Sequence, residues 1–116
     1  MKRRSTPQNV DVTTLSRLMA AITDPEDMAS FIVDLCSPAE LEAWTDRWRV
    51  VPLLSEGMSY RAIHEQTGVS ITTIGRVARH MATGAGGYEL GMRIQNSFND
   101  NDEQNADDEP TNENAE

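Results

Sequence analysis

The stretch from Met58 to Met81 constrains the fold of this chain more than any other, because two helix starts, a glycine stop and one inward stripe fall within it. The Ser59 hydroxyl can cap the free amides of a first helix, which carries Ile63 inward and ends at Gly68. Glycine closes a helix cheaply because it tolerates positive φ. Val69 then fills the corner, and Ser70 is placed to cap a second helix whose inward positions are Ile74, Val77 and Met81. Spacings of three and four residues put these on one stripe. Outward on the first two turns stand Ile71, Thr72, Thr73, Gly75 and Arg76, small, hydroxyl-bearing and cationic groups that suit a major groove. The pattern predicts a helix-turn-helix over residues 59–82 and points to double-stranded DNA as partner. Two amphipathic helices with a Gly-Val-Ser corner also occur as plain structural hairpins, and that reading stays open on spacing alone.

A formal net charge of −9 argues against a phosphate partner until its distribution is read. Residues 96–116 hold eight acids and no Lys or Arg, which leaves the rest of the chain near −1. Residues 59–95 hold Arg61, Arg76, Arg79 and Arg93 against Glu65 and Glu89, whereas residues 11–58 hold nine acids and three arginines. Positive charge therefore gathers on the segment with the second helix. The supply is thin for one subunit, and pairing two subunits doubles it.

Elsewhere the chain reads as helices and nothing else. After a flexible basic arm over residues 1–10, Leu15, Leu18, Met19 and Ile22 give a helix near 11–23. Asp24 as cap, Pro25 at the first helical position, and Glu26 and Asp27 in the first turn begin a second helix carrying Met28, Phe31, Ile32 and Leu35. Ser37-Pro38-Ala39-Glu40 repeats the start as a capping box. Leu41, Trp44, Trp48, Val51 and Leu54 then form a third stripe that Gly57 stops, and Pro52 inside it predicts a kink or break near Val50 to Pro52. Past the helix-turn-helix, Gly84-Ala85-Gly86-Gly87 reads as a hinge before a short apolar segment with Tyr88, Leu90, Met92 and Ile94.

These readings give an all-α fold with one helical domain over residues 11–95 and a disordered acidic tail over 96–116, which lacks apolar groups to offset its ordering entropy. Short, strongly amphipathic helices cannot bury every apolar face in one monomer, so a homodimer is expected. The lone Cys36 sits in an apolar run and reads as a small buried hydrophobe. No run approaches a membrane span, and Met1-Lys2-Arg3-Arg4 leads into polar residues, so a cytoplasmic setting and no membrane partner are expected.

Residues from Leu35 to Ile94 resemble the Trp repressor family, and within it the uncharacterised bacterial YerC/YecD-type subgroup. The resemblance rests on Ser37-Pro38-Ala39-Glu40-Leu41, on Asp46-Arg47-Trp48-Arg49-Val50-Val51 followed by Leu53-Leu54, and on Met58-Ser59-Tyr60-Arg61. It extends through Gly68-Val69-Ser70, Ile74-Gly75-Arg76-Val77 and the ending Thr83-Gly84-Ala85-Gly86-Gly87-Tyr88. It implies a helix-turn-helix bundle in an intertwined homodimer whose two heads address a palindromic operator. By position it puts DNA contacts on Tyr60, Arg61 and His64 in the first helix and on Ile71, Thr72, Thr73 and Gly75 in the second, to which Arg76 and Arg79 add charge. His64 stands where the family has a lysine, which makes its phosphate contact weaker and dependent on pH.

The resemblance also implies a ligand pocket at Ser37, Arg47, Arg76 and His80. Val77 replaces a family glycine and fills the space of an indole, so tryptophan is not expected as ligand. Arg47 and Arg76 then read as structural ion-pair partners, for example of Asp46 or Glu42, with a different small anionic corepressor left open. No cofactor and no metal site are expected, and neither His64 nor His80 has a nucleophile at catalytic spacing, so an enzyme is not expected. The leading function is a dimeric, sequence-specific transcriptional regulator, a repressor. The alternative is an interaction or adaptor protein that keeps the helical dimer without operator binding, which the thin basic charge favours.

Overall fold

The computed structural model describes residues 10–108, with side chains through Asp102. The described residues form six helices and no strand: α1 (Thr13–Ala21), α2 (Pro25–Leu35), α3 (Pro38–Ser55), α4 (Tyr60–Thr67), α5 (Ile71–Thr83) and α6 (Gly87–Asp108). The fold is all-α, as the sequence implies. Residues 1–9 of the basic arm and residues 109–116 of the acidic segment lie outside the described residues. Among the described residues no helix is long and apolar enough to cross a membrane. The chain divides into two compact units, residues 1–42 and 43–116.

In the first unit the helix starts are set by short side chains. The Asp11 carboxylate accepts from the Thr13 N–H at 2.9 Å, and its pKa is lowered by that backbone bond and by the Thr13 hydroxyl. Asp24 accepts from the Asp27 N–H at 3.1 Å with Pro25 in the first turn. Ser37 and Glu40 close the capping box in both directions, at 3.1 and 2.8 Å. No residue of α1 or α2 is fully buried: Leu15, Leu18, Val33 and Leu35 are exposed, and Met19, Met28, Phe31 and Ile32 are half-buried.

The second unit holds the core: Val50, Val51, Ile63, Val69, Ile74 and Val77, with Trp48, Leu53, Leu54, Met58, Met81, Tyr88 and Met92 packed against it. Val50 is fully buried although it lies outside the third stripe, while Trp44 on that stripe is exposed. The expected break at Pro52 is absent, because α3 runs through it to Ser55. Proline costs one backbone bond here, and the carbonyls that follow are satisfied by the turn. Glu56 N–H donates to Pro52 O at 3.1 Å, Gly57 N–H to Leu54 O at 3.0 Å and Met58 N–H to Leu53 O at 3.1 Å. The last two bonds, with Gly57 at φ 87°, form a Schellman ending.

The segment past the glycine run is longer than expected. α6 does not stop at Gln95 but continues to Asp108, so residues 96–108 are helical and not the start of a disordered tail. Two physical facts account for this. Residues 92–109 contain neither Gly nor Pro, and Pro110 disfavours helix at the residue before it. The first turns are also nucleated by packing: Tyr88 lies with its ring centre 6.4 Å from that of Trp48, and the Trp48 Nε1–H donates to Gln95 Oε1 at 2.9 Å. Once those turns are fixed, adding residues needs no core of its own.

Candidate nucleic-acid interface

The two helices of the interface are built by local hydrogen bonds. Ser59 Oγ accepts from the Ala62 N–H at 3.1 Å and starts α4. Gly68 ends it in the left-handed region at φ 80°, with its N–H donating to His64 O at 2.8 Å. Ser70 Oγ accepts from the Thr73 N–H at 3.1 Å and starts α5. Ile63, Ile74 and Val77 are fully buried, Val69 nearly so, and Met81 packs against them, which is the inward stripe read from the spacing.

Three side chains, Thr67, His64 and Arg49, make contacts at the corner that periodicity did not show. The Thr67 hydroxyl donates to Ile63 O at 2.7 Å and accepts from the Val69 N–H at 3.1 Å, tying the end of α4 to the turn. A threonine just before a helix-stopping glycine, free to bond back four residues, is the signal that could have found it. His64 Nδ1 lies 2.8 Å from Val69 O. That oxygen can only accept, so Nδ1 carries the proton and Nε2 is the polar atom left over. Arg49 pairs with Asp46 at 3.5 Å, three residues back on α3, and also reaches Thr67 O at 3.2 Å, a contact that no local spacing announced.

Outward from this frame, Arg61 and His64 are exposed on α4, and Ile71, Thr72, Arg76 and Arg79 are exposed on α5. The Arg61–Glu65 pair, at 3.7 Å between two well-exposed groups, leaves Arg61 available. Residues 66–88 contain no acid, so the outer face of α5 carries two arginines unopposed from its own helix. Two further residues expected to contact DNA, Thr73 and Gly75, are half-buried. The Thr73 hydroxyl accepts from Ser70 Oγ at 3.1 Å. Gly75 is half-buried beside Tyr60, whose Cε2 would lie 3.9 Å from a β-carbon at that position. Tyr60 itself keeps 42% of its surface exposed.

The residues expected to line a ligand pocket have the following surroundings, each within its own unit. Ser37 is engaged at the start of α3 through its hydroxyl and its N–H. Arg47 lines a hollow of about 240 Å³ with Trp44, Trp48 and Tyr88. His80 lines another, of about 540 Å³, with Trp48, Ala85, Gly87, Tyr88 and Gly91. Arg76 lines neither. The ion pair expected of Arg47 with Asp46 is made by Arg49, whose guanidinium lies one turn end away on the same helix at 3.5 Å. Val77 is fully buried in the core, consistent with the side chain occupying space that a smaller residue would leave.

Comparison with known proteins accords with this geometry. Residues 10–96 match the family described as Trp repressor protein, which takes in the whole helix-turn-helix and stops within α6. The chain is also similar to the uncharacterized protein YerC of Bacillus subtilis (strain 168), at 35% identity over 72 residues, covering 62% of this chain and 69% of that protein. Its helix-turn-helix and a family match over well more than half its length place this chain in the Trp repressor protein family, whose members are helix-turn-helix DNA-binding regulators.

Proposed function

We propose that two copies of this chain form a homodimer that binds a palindromic operator through α5 and represses transcription in the cytoplasm, at the nucleoid. The observation that carries this reading is the outer face of the hairpin: Arg61, Thr72, Arg76 and Arg79 stand exposed over a fully buried frame, with no acid between residues 65 and 89. Tyr60, Arg61, His64, Ile71, Thr72, Arg76 and Arg79 are the residues placed to meet the duplex, and Thr73 and Gly75 support that face. A neutral His64 offers Nε2 only as an acceptor, so donation to a phosphate requires the imidazolium. The exposed Leu15, Leu18, Val33 and Leu35 on α1 and α2 support a second copy as partner. Tryptophan is not proposed as a ligand, since Val77 is buried where room for an indole would be needed.

The test is selection from random duplexes with the purified full chain. Enrichment of a palindrome with half-sites about 34–36 Å apart would support the dimer; that spacing is carried over from helix-turn-helix dimers, Trp repressor among them, and is not read from this chain. Recovery of no sequence above background would refute it.

A second reading, a helical dimer that serves as an interaction protein without DNA, has one observation in its favour. α6 shows Leu90, Ile94 and Phe98 exposed at four-residue spacing beside the acids Asp100 and Asp102. A salt titration separates the two. Operator binding weakens along a steep log-log slope, and an adaptor shows only marginal, sequence-blind association.

A further inference from the structure

We infer that Arg49 is a positioning residue: it fixes the angle at which the α4–α5 hairpin sits on α3, and so the angle at which α5 is presented to a duplex. The second half of this inference rests on the proposal that α5 meets DNA. The bonds made by the Ser59, His64, Thr67 and Ser70 side chains all join residues within the hairpin, so they fix its own shape and not its seat on α3. That seat is apolar: Val50 and Val51 of α3 share one core with Ile63, Val69, Ile74 and Val77. The hydrophobic term is non-directional, so it favours contact more than it favours one angle.

Arg49 adds a directional tie. One terminal nitrogen of its guanidinium donates to Thr67 O at 3.2 Å, and the other lies 3.5 Å from Asp46 Oδ1. Thr67 is the last residue of α4, whereas the chain itself joins α3 to α4 at the opposite end, through residues 56–59. α4 is thereby held to α3 at both ends, covalently at its start and by Arg49 at its finish. The last carbonyls of a helix have no partner within it and carry the negative end of its dipole, which suits a cation. Asp46, three residues back on α3, meets the same planar fork. The Arg49 side chain is 53% exposed, so the bridge contributes little to stability and its effect falls on orientation. Loss of one such bond shifts an orientation equilibrium by about two- to tenfold.

The experiment compares the full chain with Arg49→Met, which loses the donors, and Arg49→Lys, which keeps the charge but has one nitrogen and no fork. Thermal unfolding confirms that both variants fold. Without DNA, residual dipolar couplings of the backbone amides are expected to fit one alignment tensor for α3 and the hairpin in the full chain. In Arg49→Met the hairpin should need a separate, weaker one. On a selected duplex, Arg49→Met is expected to lose affinity by about two- to tenfold with its log-log salt slope unchanged, and Arg49→Lys to recover only part of the loss. A single tensor in Arg49→Met overturns the inference. So does a salt slope lowered by about 1 in Arg49→Met and restored in Arg49→Lys, which would make Arg49 a phosphate contact. Unchanged affinity in Arg49→Met overturns the second half. Failure of the full chain to enrich any duplex overturns the proposed function and that second half with it, while the couplings still decide whether Arg49 sets the seat of the hairpin.

Discussion

Replacing Gly91 with alanine should destabilise this protein, although alanine is the better helix former. On propensity alone the change favours α6 by about 1 kcal/mol. A β-carbon at Gly91 would, however, lie 2.9 Å from both Cη2 and Cζ3 of Trp48, too close for carbon atoms to coexist unmoved. The indole has little freedom to retreat. Its Nε1–H is bonded to Gln95, its ring sits beside Tyr88, and it packs on the core. Overpacking of this kind costs about 1–3 kcal/mol, and breaking the indole bond adds about 1 kcal/mol. The net loss should be about 1–3 kcal/mol, a fall in Tm of about 5–15 °C at fixed protein concentration. Gly75→Ala supplies the control, because its nearest neighbour is Tyr60 at an ordinary 3.9 Å, so propensity should win and stability should rise by up to about 1 kcal/mol. Thermal and urea unfolding of the two variants measure the contrast. A Gly91→Ala protein as stable as the parent would refute the close packing of α6 on Trp48.

Other expectations follow from the same contacts. Ile63→Ala and Ile74→Ala, each removing a fully buried side chain from the hairpin core, should cost about 2–5 kcal/mol in urea unfolding, against less than about 0.5 kcal/mol for the exposed Arg61→Ala. Arg76→Ala and Arg79→Ala should each lower duplex affinity and reduce the log-log salt slope by about 1 while leaving unfolding unchanged; an unaltered slope would remove that arginine from the interface. Asp11 has a lowered pKa, so its contribution to the start of α1 is present above the ordinary carboxylate range and is lost as pH falls through its folded-state value. The protection of the Thr13 amide, its exchange relative to the intrinsic rate at each pH, should fall on acidification, and in Asp11→Asn that protection should not change with pH over the same range.

The hairpin was legible because everything that shapes it is local. Ser59, Gly68 and Ser70 act on amides and carbonyls within four residues, and Ile63, Ile74 and Val77 betray their inward face by spacing. What escaped reading depends on distance along the chain or on context. Asp46 takes Arg49 and not Arg47 because residues three apart on a helix are neighbours and adjacent ones are not, and the contact of Arg49 with the distant Thr67 carbonyl is the part that local spacing does not announce. Val50 is buried because two neighbouring positions of α3 are covered at once, which a single stripe does not describe. Residues 96–108 read as tail on polarity, yet polarity does not prevent a helix from continuing once Tyr88, Gly91 and Gln95 have fixed its first turns on Trp48. Ser37 is spent on a cap, and Arg47 and His80 line separate hollows.

The bond between Trp48 and Gln95 sets an order of events in time. It joins positions 47 residues apart, whereas the bonds of the hairpin join residues two to five apart. Local closures of that kind complete in microseconds or less, and wider closures wait on a larger search. During synthesis Thr83 leaves the ribosome before Gln95 does, so the DNA-facing hairpin can assemble while the helix that backs it is still being made. Each new chain then passes through an interval in which its reading surface exists and Trp48 is still without the Gln95 bond.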